Sequence, residues 1–373
     1  MVRYPLGGNL SWALQYLVGF KSLGHDIFFV EKYAYDNSCY NPVERTMSDD
    51  CTYGISVVHQ LLAAHGLGDR WCFVQKGDIY HGLGKTAIND VFATADLYIE
   101  LGAHGAWDEE SSGINKRVYV DVDPAYTQFK WYNQVQQGGT FPSFHQYFTI
   151  GLNVGKPGNI IPTLGLTWKH LVNPVNTHLF EKASVCCNGP YATIMNWKSY
   201  ENVTYEGFEY GQKNVEFEHY LNLPTMVDGP FEIAVSGIDA EKKKILHTAG
   251  WTTNDAQLVT MSFQSFAQYI CNCKAEFSVC KQVYVATSSA WFSDKSATYL
   301  ASGRPVIVQE TGCSEHLPTG MGLFTFSNME EAKEAIMRVE SNYALHCKQA
   351  RQLAHEHFEA TVVLKQFLQD AGL

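Results

Sequence analysis

Charge, long apolar runs and paired cysteine motifs are all scarce in this chain of 373 residues. Charged residues make up only 17%, below the usual quarter. No apolar run approaches the ~20 residues that cross a bilayer. Met1-Val2-Arg3-Tyr4-Pro5 lacks the layout of a signal peptide, so a cytoplasmic protein is expected. None of the ten cysteines forms a C-x-x-C pair. Cys186 and Cys187 are adjacent, and Cys271 and Cys273 are one residue apart. These spacings fit neither a zinc site nor a disulfide framework, so buried thiols in a reducing compartment are expected. Positive charge is outnumbered, 27 Lys and Arg against 38 Asp and Glu, for a net −11. A phosphate backbone repels that balance, which makes nucleic acid a poor first choice of partner.

Hydrophobic residues are ordinary at 46%, and aromatic residues are abundant at 13%. The length exceeds what one core usually supports, so two domains are expected. Pro5-Leu6-Gly7-Gly8-Asn9 reads as a glycine turn. Leu10 to Leu23 has helical spacing, with Ser11 or Asn9 as its cap. Gly24 ends that helix, and Ile27 to Val30 is a buried strand. The strand that should precede Gly7 is nearly missing, since only Met1 to Tyr4 remain. Further strands are expected at 71–74, 95–101, 117–124 and 148–151, closing one N-terminal sheet. Residues 151–178, rich in Pro, Gly and Asn, read as a connection. Strands then recur at 184–187, 231–236, 281–286 and 305–309, with a loop and short strand over 254–261. Residues 329–340 and 343–371 are expected to be helical. The fold class is α/β, two doubly wound domains facing across a cleft. The domains are 1–175 and 176–345. Residues 346–373 form a final helix packing back toward the first domain.

Residues 286–312 carry the most chemistry. They read as strand, polar loop, helix, Gly303 and strand. The helix follows Ser288, Ser289 and Ser293. Free N–H groups and the helix dipole make such a start a cradle for a diphosphate. Trp291 offers a stacking face, Lys295 offers charge, and Asp294 and Ser296 complete the mouth. The plainer reading is that Ser293 and Asp294 cap the helix and Trp291 is core.

Tyr299 to Ile307, leading to Gln309-Glu310-Thr311-Gly312, resembles the donor-binding end of GT-B superfamily glycosyltransferases. Nearly the whole chain is similar to a group of bacterial proteins described as glycosyltransferases. The likeness runs through Gly7-Gly8, Leu23 to Asp26, Gly66 to Trp71 and Asp121 to Gln128. It continues through Gly155 to Gly158, Trp197 to Tyr200, Ala275 to Val279 and His316 to Pro318. It implies the GT-B fold and transfer of a sugar from a UDP-, GDP- or dTDP-linked donor to a small-molecule or glycan acceptor. It implies no metal and no cofactor. Retaining families often carry two glutamates flanking this helix, where Ala290 and Thr298 stand here, so retention or inversion is left open.

A general base is needed for an inverting transfer. Asp123, at a strand end before Pro124, and His104, in a glycine loop, are the candidates; a turn-forming Asp and a structural His are the plainer readings. Lys213 and Trp197 are candidates for the donor pocket, the alternatives being a solvated lysine and core packing. For Lys281 a solvated surface lysine is the stronger reading. Gly7, Gly8 and Asn9 would let acceptor or phosphate approach the first helix. Two other activities fit the same architecture: a non-hydrolysing nucleotide-sugar epimerase and a non-catalytic nucleotide-sugar binder.

Overall fold

The computed structural model describes residues 1–102, 107–180, 185 and 188–373. Its second half is built on six parallel strands. In spatial order they are Trp251–Asp255, Phe231–Ser236, Tyr191–Asn196, Ala275–Ser278, Val306–Gln309 and Leu323–Phe326. In chain order that is 3-2-1-4-5-6, the doubly wound arrangement whose ligand crevice opens where the order reverses. The reversal falls between Tyr191–Asn196 and Ala275–Ser278.

Several expected elements shift. The strand expected at 184–187 falls almost wholly outside the described residues, and the first strand of this sheet is Tyr191–Asn196. The run from Lys281 to Ala286 is not a strand but the short helix Gln282–Ala286. The sheet position it was assigned belongs to Ala275–Ser278. A short apolar run cannot distinguish the two by periodicity. The order of elements over 254–261 is also inverted: the strand Trp251–Asp255 comes first and the turn of helix Ala256–Val259 follows.

The first half holds two sheets rather than one. Phe29–Lys32 pairs with Trp71–Gln75, which pairs with the antiparallel edge Ile79–Gly82. Leu97–Leu101, Lys116–Asp121, Gln146–Thr149 and Trp168–His170 form a separate parallel sheet. The last strand lies inside the segment expected to be a plain connection. Residues 1–4 form no strand.

The helix Gly7–Ser22 starts three residues earlier than expected, with neither Asn9 nor Ser11 as its cap. The Gly7 N–H donates to the Thr260 carbonyl at 2.6 Å, which satisfies a helix-start donor without a side chain. A Cβ on Gly7 would lie 2.5 Å from the Ser262 oxygen and 2.6 Å from the Phe266 Cβ. The glycine therefore serves a close approach to the second half. Gly24 ends the helix at φ +89°, as expected.

The C-terminal helices are Met329–Ser341, Tyr343–Leu353 and Ala360–Ala371, with a wide turn, Ala354–Phe358, between the last two. Leu364 and Phe367 of the last helix pack with Tyr16, Phe20, Val118, Val120 and Phe148. The expectation of thiols alone fails: Cys39 and Cys51 are joined in a disulfide, their Cα atoms 5.4 Å apart. The bond ties the hairpin Cys39–Asn41/Thr46–Ser48 to the start of the helix Thr52–Ala64. Cys72, Cys273, Cys280 and Cys313 are buried thiols, and Cys186 and Cys187 lie outside the described residues. No helix among the described residues is long and apolar enough to cross a membrane.

Candidate functional site

The helix Asp294–Ala301 begins beside the point where the strand order reverses. Its Lys295 reaches across that point. The Nζ lies 2.9 Å from the Glu276 carboxylate, 2.9 Å from the Thr193 hydroxyl, 3.2 Å from the Ser278 hydroxyl and 3.2 Å from the Ile194 carbonyl. Glu276 is fully buried, so this lysine neutralises a core carboxylate and ties two strands together. The expected donor contact is thereby corrected: the Lys295 ammonium is already spent inside the sheet.

The serines are also turned inward. The Ser289 hydroxyl is buried and donates to the Tyr284 carbonyl at 3.4 Å. Ser293 is the N-cap, its Oγ accepting from the Lys295 N–H at 3.2 Å. The Ser296 hydroxyl is buried without a partner among the described residues. The loop before the helix is held in a costly shape, with Ser288 at φ +46° and Ala290 at +57°. Asn153 of the first half pins it. Its Nδ2 donates to the Ser288 carbonyl at 3.0 Å, and its N–H to that of Ser289 at 3.2 Å. His316 Nε2 lies 2.8 Å from Asn153 Oδ1 and 3.0 Å from Lys156 Nζ, so two segments far apart in sequence meet here.

Lys213 differs from its neighbours. It opens the helix Lys213–Phe217 and has no hydrogen-bond or ion-pair partner among the described residues. Burial pushes its ammonium down to about 8, and the Lys295 charge pushes the same way. It is not the solvated surface lysine of the plainer reading. Gln212, the residue before it, is buried with both side-chain polar atoms unpartnered among the described residues. Asp294 stands among these groups; burial raises its carboxyl pKa, against the pull of the Lys295 N–H and the Lys295 and Lys213 charges.

Trp291 stacks on Tyr284, ring centres 4.5 Å apart, and its Nε1 is buried without a partner among the described residues. Trp197 is core: it is buried and packs on Phe217 at 5.5 Å. Among the described residues no cluster of three or more His, Cys, Asp or Glu could hold a metal ion.

Asp123 is already engaged. Its Oδ2 lies 2.7 Å from Lys281 Nζ, and its Oδ1 accepts from the Tyr284 hydroxyl. Lys281, 8% exposed, also sits 4.2 Å from the Tyr200 ring centre. The surface reading of Lys281 is corrected: it holds the first half to the second. Asp121 is buried and structural, accepting from Gln128 at 2.9 Å and Thr149 at 2.7 Å. His104 lies outside the described residues. Gly8 faces open space, and Asn9 is exposed at the rim of the first helix. Sequence reasoning missed Gln212, Tyr284 and Asn153 altogether. His316 and Lys156 stood only within the segments of resemblance.

A cavity of about 1600 Å³ lies elsewhere. It occupies the first half and meets the second at Asn196, Ser199 and Tyr200. None of Lys213, Trp291 and Asp294 lines it.

No family model and no curated protein matches the sequence. Solved structures do match the fold. An α-glucosyltransferase in complex with UDP and a 13-mer DNA containing an HMU base is similar at TM-score 0.56 and 9% identity, over 98% of this chain and 96% of that one. A glycosyltransferase from Rickettsia africae ESF-5 is similar at TM-score 0.54 and 12% identity, over 98% and 94%. Anabaena Alr3699/HepE in complex with UDP-glucose is similar at TM-score 0.50 and 12% identity, over 93% and 99%. Nearly full-length likeness to glycosyltransferases, together with the 3-2-1-4-5-6 sheet, gives this chain the GT-B fold.

Proposed function

We propose that the protein is a glycosyltransferase that takes a sugar from a nucleoside-diphosphate donor seated at the carboxyl ends of the second sheet. The observation that carries this reading is Lys213. An ammonium whose charge burial disfavours, beside the start of an eight-residue helix at the strand-order reversal, is placed to take an anion. The donor diphosphate would lie between Lys213 and the N-terminus of Asp294–Ala301. Gln212, with unpartnered polar atoms, and the Trp291–Tyr284 stack would add polar and aromatic contacts. The like-folded transferases solved with UDP or UDP-glucose make uridine the first base to test. In this reading residues 176–345 carry the donor, residues 1–175 the acceptor, and 346–373 join the two.

Asp123 is not the group we assign as base. Its carboxylate oxygens are held by Lys281 and Tyr284, so it acts as a tie between the halves.

The test is a thermal-shift screen of UDP, GDP, dTDP and their sugar conjugates. Binding at a hundredfold excess over Kd adds about 2.7 kcal/mol. UDP is expected to raise the Tm, and Lys213→Met to remove that rise. An equal rise in Lys213→Met would refute the site. Release of free sugar or transfer to an acceptor, without epimer formation from donor alone, separates the transferase from an epimerase.

A further inference from the structure

Residues 151–178, rich in Pro, Gly and Asn, read in sequence as a connection. Three of their asparagines instead turn their amides onto the loop that leads into the helix Asp294–Ala301. Asn153 Nδ2 donates to the Ser288 carbonyl at 3.0 Å, and the Asn153 N–H to the Ser289 carbonyl at 3.2 Å. Asn159 Nδ2 donates to the Thr287 carbonyl at 3.0 Å and to that of Ser288 at 3.3 Å. Asn173 Nδ2 donates to the Phe292 carbonyl at 3.0 Å. The Trp291 carbonyl accepts from the Thr311 hydroxyl at 2.7 Å. Five of the six carbonyls from Thr287 to Phe292 are therefore held, four of them by the first half.

The loop's shape needs this outside support. Ser288 at φ +46° and Ala290 at +57° occupy the left-handed region, which a residue with a Cβ adopts at a cost. Such a backbone persists only where its surroundings over-determine it. The second half fixes the loop through its N–H groups. Ser289 N–H donates to the Tyr284 carbonyl at 3.1 Å, and Ala290 N–H to that of Thr311 at 2.6 Å. The carbonyls are left mainly to the asparagines.

The amides are themselves oriented. Asn153 Oδ1 lies 2.8 Å from His316 Nε2, and Asn159 Oδ1 accepts from the Ile161 N–H at 3.0 Å. Asn153 and Asn173 are 6% and 3% exposed, so water competes little for their donors. Gly312 makes room for the meeting: a Cβ there would lie 2.7 Å from Asn153 Nδ2 and 3.2 Å from the Ser288 oxygen. An amide also donates to a carbonyl without adding a charge that competes with the helix start for an anion.

Trp291 and the first turn of Asp294–Ala301 follow Ala290 directly, so a change of backbone at Ser288 or Ala290 re-aims both. Resting on the donor site proposed above, we infer that Asn153, Asn159 and Asn173 are positioning residues of that site. They act through the loop 287–292, holding it in the shape that presents Trp291 and the helix start to the donor. The donor site is thus completed by the half of the chain that does not carry it.

The test uses Asn153→Asp in the full chain. Aspartate keeps the size and the oxygen that faces His316, and sets a second acceptor against the Ser288 carbonyl. Amide exchange is expected to quicken at Ser289 and Ala290 at least about tenfold, with Tyr191–Asn196 unchanged. UDP binding, followed by titration calorimetry, is expected to weaken about 5- to 20-fold. Adding Ala290→Gly is expected to recover about two- to fivefold of that affinity, because glycine takes positive φ freely. A loss of packing alone would show no such rescue. Asn159→Asp keeps the Ile161 contact, is expected to act in the same way, and serves where Asn153→Asp does not fold. Unchanged exchange at Ser289 and Ala290, or a quickening shared equally by every strand, would overturn the proposal. So would a loosened loop with wild-type UDP affinity, or a double variant in which the two losses simply add. A wild-type chain that binds no nucleotide would refute the donor site and this proposal together. Tight UDP binding that neither asparagine variant weakens would refute this proposal alone.

Discussion

At Lys213 the chemistry of one side chain sets a pH dependence. Its folded value of about 8 lies below the 10.5 of a free lysine because burial disfavours the charge. Between about 8 and 10.5 the unfolded chain holds this proton and the native chain does not. The group's contribution to stability therefore rises with pH in that window, and at neutral pH the charged group is a cost. A bound diphosphate reverses the sign, since it needs the ammonium. UDP affinity is expected to fall as pH rises from 7 to 9. In Lys213→Met it should be about 10- to 100-fold weaker at pH 7, the loss of a charge-assisted contact, and flat across that range. Titration calorimetry at the two pH values checks both. Asp123 supports a second expectation. Asp123→Asn leaves Lys281 buried among tyrosines without its counter-ion, a loss of about 3 to 5 kcal/mol. Urea unfolding should show this loss. A variant that keeps its stability and loses only turnover would restore Asp123 as the base.

At the scale of elements the two glycines that open the first helix part company. Gly7→Ala forces a Cβ to within 2.5 Å of a backbone oxygen, so the helix must move away from the second half. A loss of about 2 kcal/mol or more is expected, on the scale of overpacking. Gly8→Ala meets no atom within 4 Å and should be neutral or stabilise by up to about 1 kcal/mol, as alanine does in a helix. Thermal unfolding of the two variants separates a packing glycine from a permissive one. The sequence could show that a helix ran to Ser22 and stopped before Gly24, because apolar spacing and a terminal glycine are local signals. It could not show what Gly7 touches, because Ser262 and Phe266 arrive from the other half of the chain. The same limit applies at the site. The helix Asp294–Ala301 and its Ser293 cap were legible from the hydroxyl run and Gly303. The inward use of Ser289 and Lys295, and the pairing of Lys281 with Asp123 across 158 positions, depend on long-range packing. The helix Gln282–Ala286 read as a strand because Val283-Tyr284-Val285 has the composition of one.

Across the whole molecule the chain's two ends support each other. The helix Ala360–Ala371 lies in one cluster with Tyr16 and Phe20 of the first helix and with Val118, Val120 and Phe148 of the first-half sheet. Lys116 and Gln146 reach the final turn, with Lys116 Nζ 3.0 Å from the Gly372 carbonyl and Gln146 Nε2 3.1 Å from that of Ala371. The C-terminal segment thus completes the core of the half that the chain began. Phe367, which is 1% exposed and 4.7 Å from the Phe148 ring, is the centre of that contact. Phe367→Ala opens a cavity there, and a loss of about 3 to 5 kcal/mol is expected. Its effect should appear far away in sequence. Amide exchange should quicken in Lys116–Asp121 and Gln146–Thr149, whereas the six-stranded sheet, with a separate core around Phe231, Trp251 and Phe277, should keep its protection. Equal loss of protection in both halves would mean that the molecule unfolds as one cooperative unit. Loss in neither would mean that the terminal helix is an accessory to a first half that stands without it.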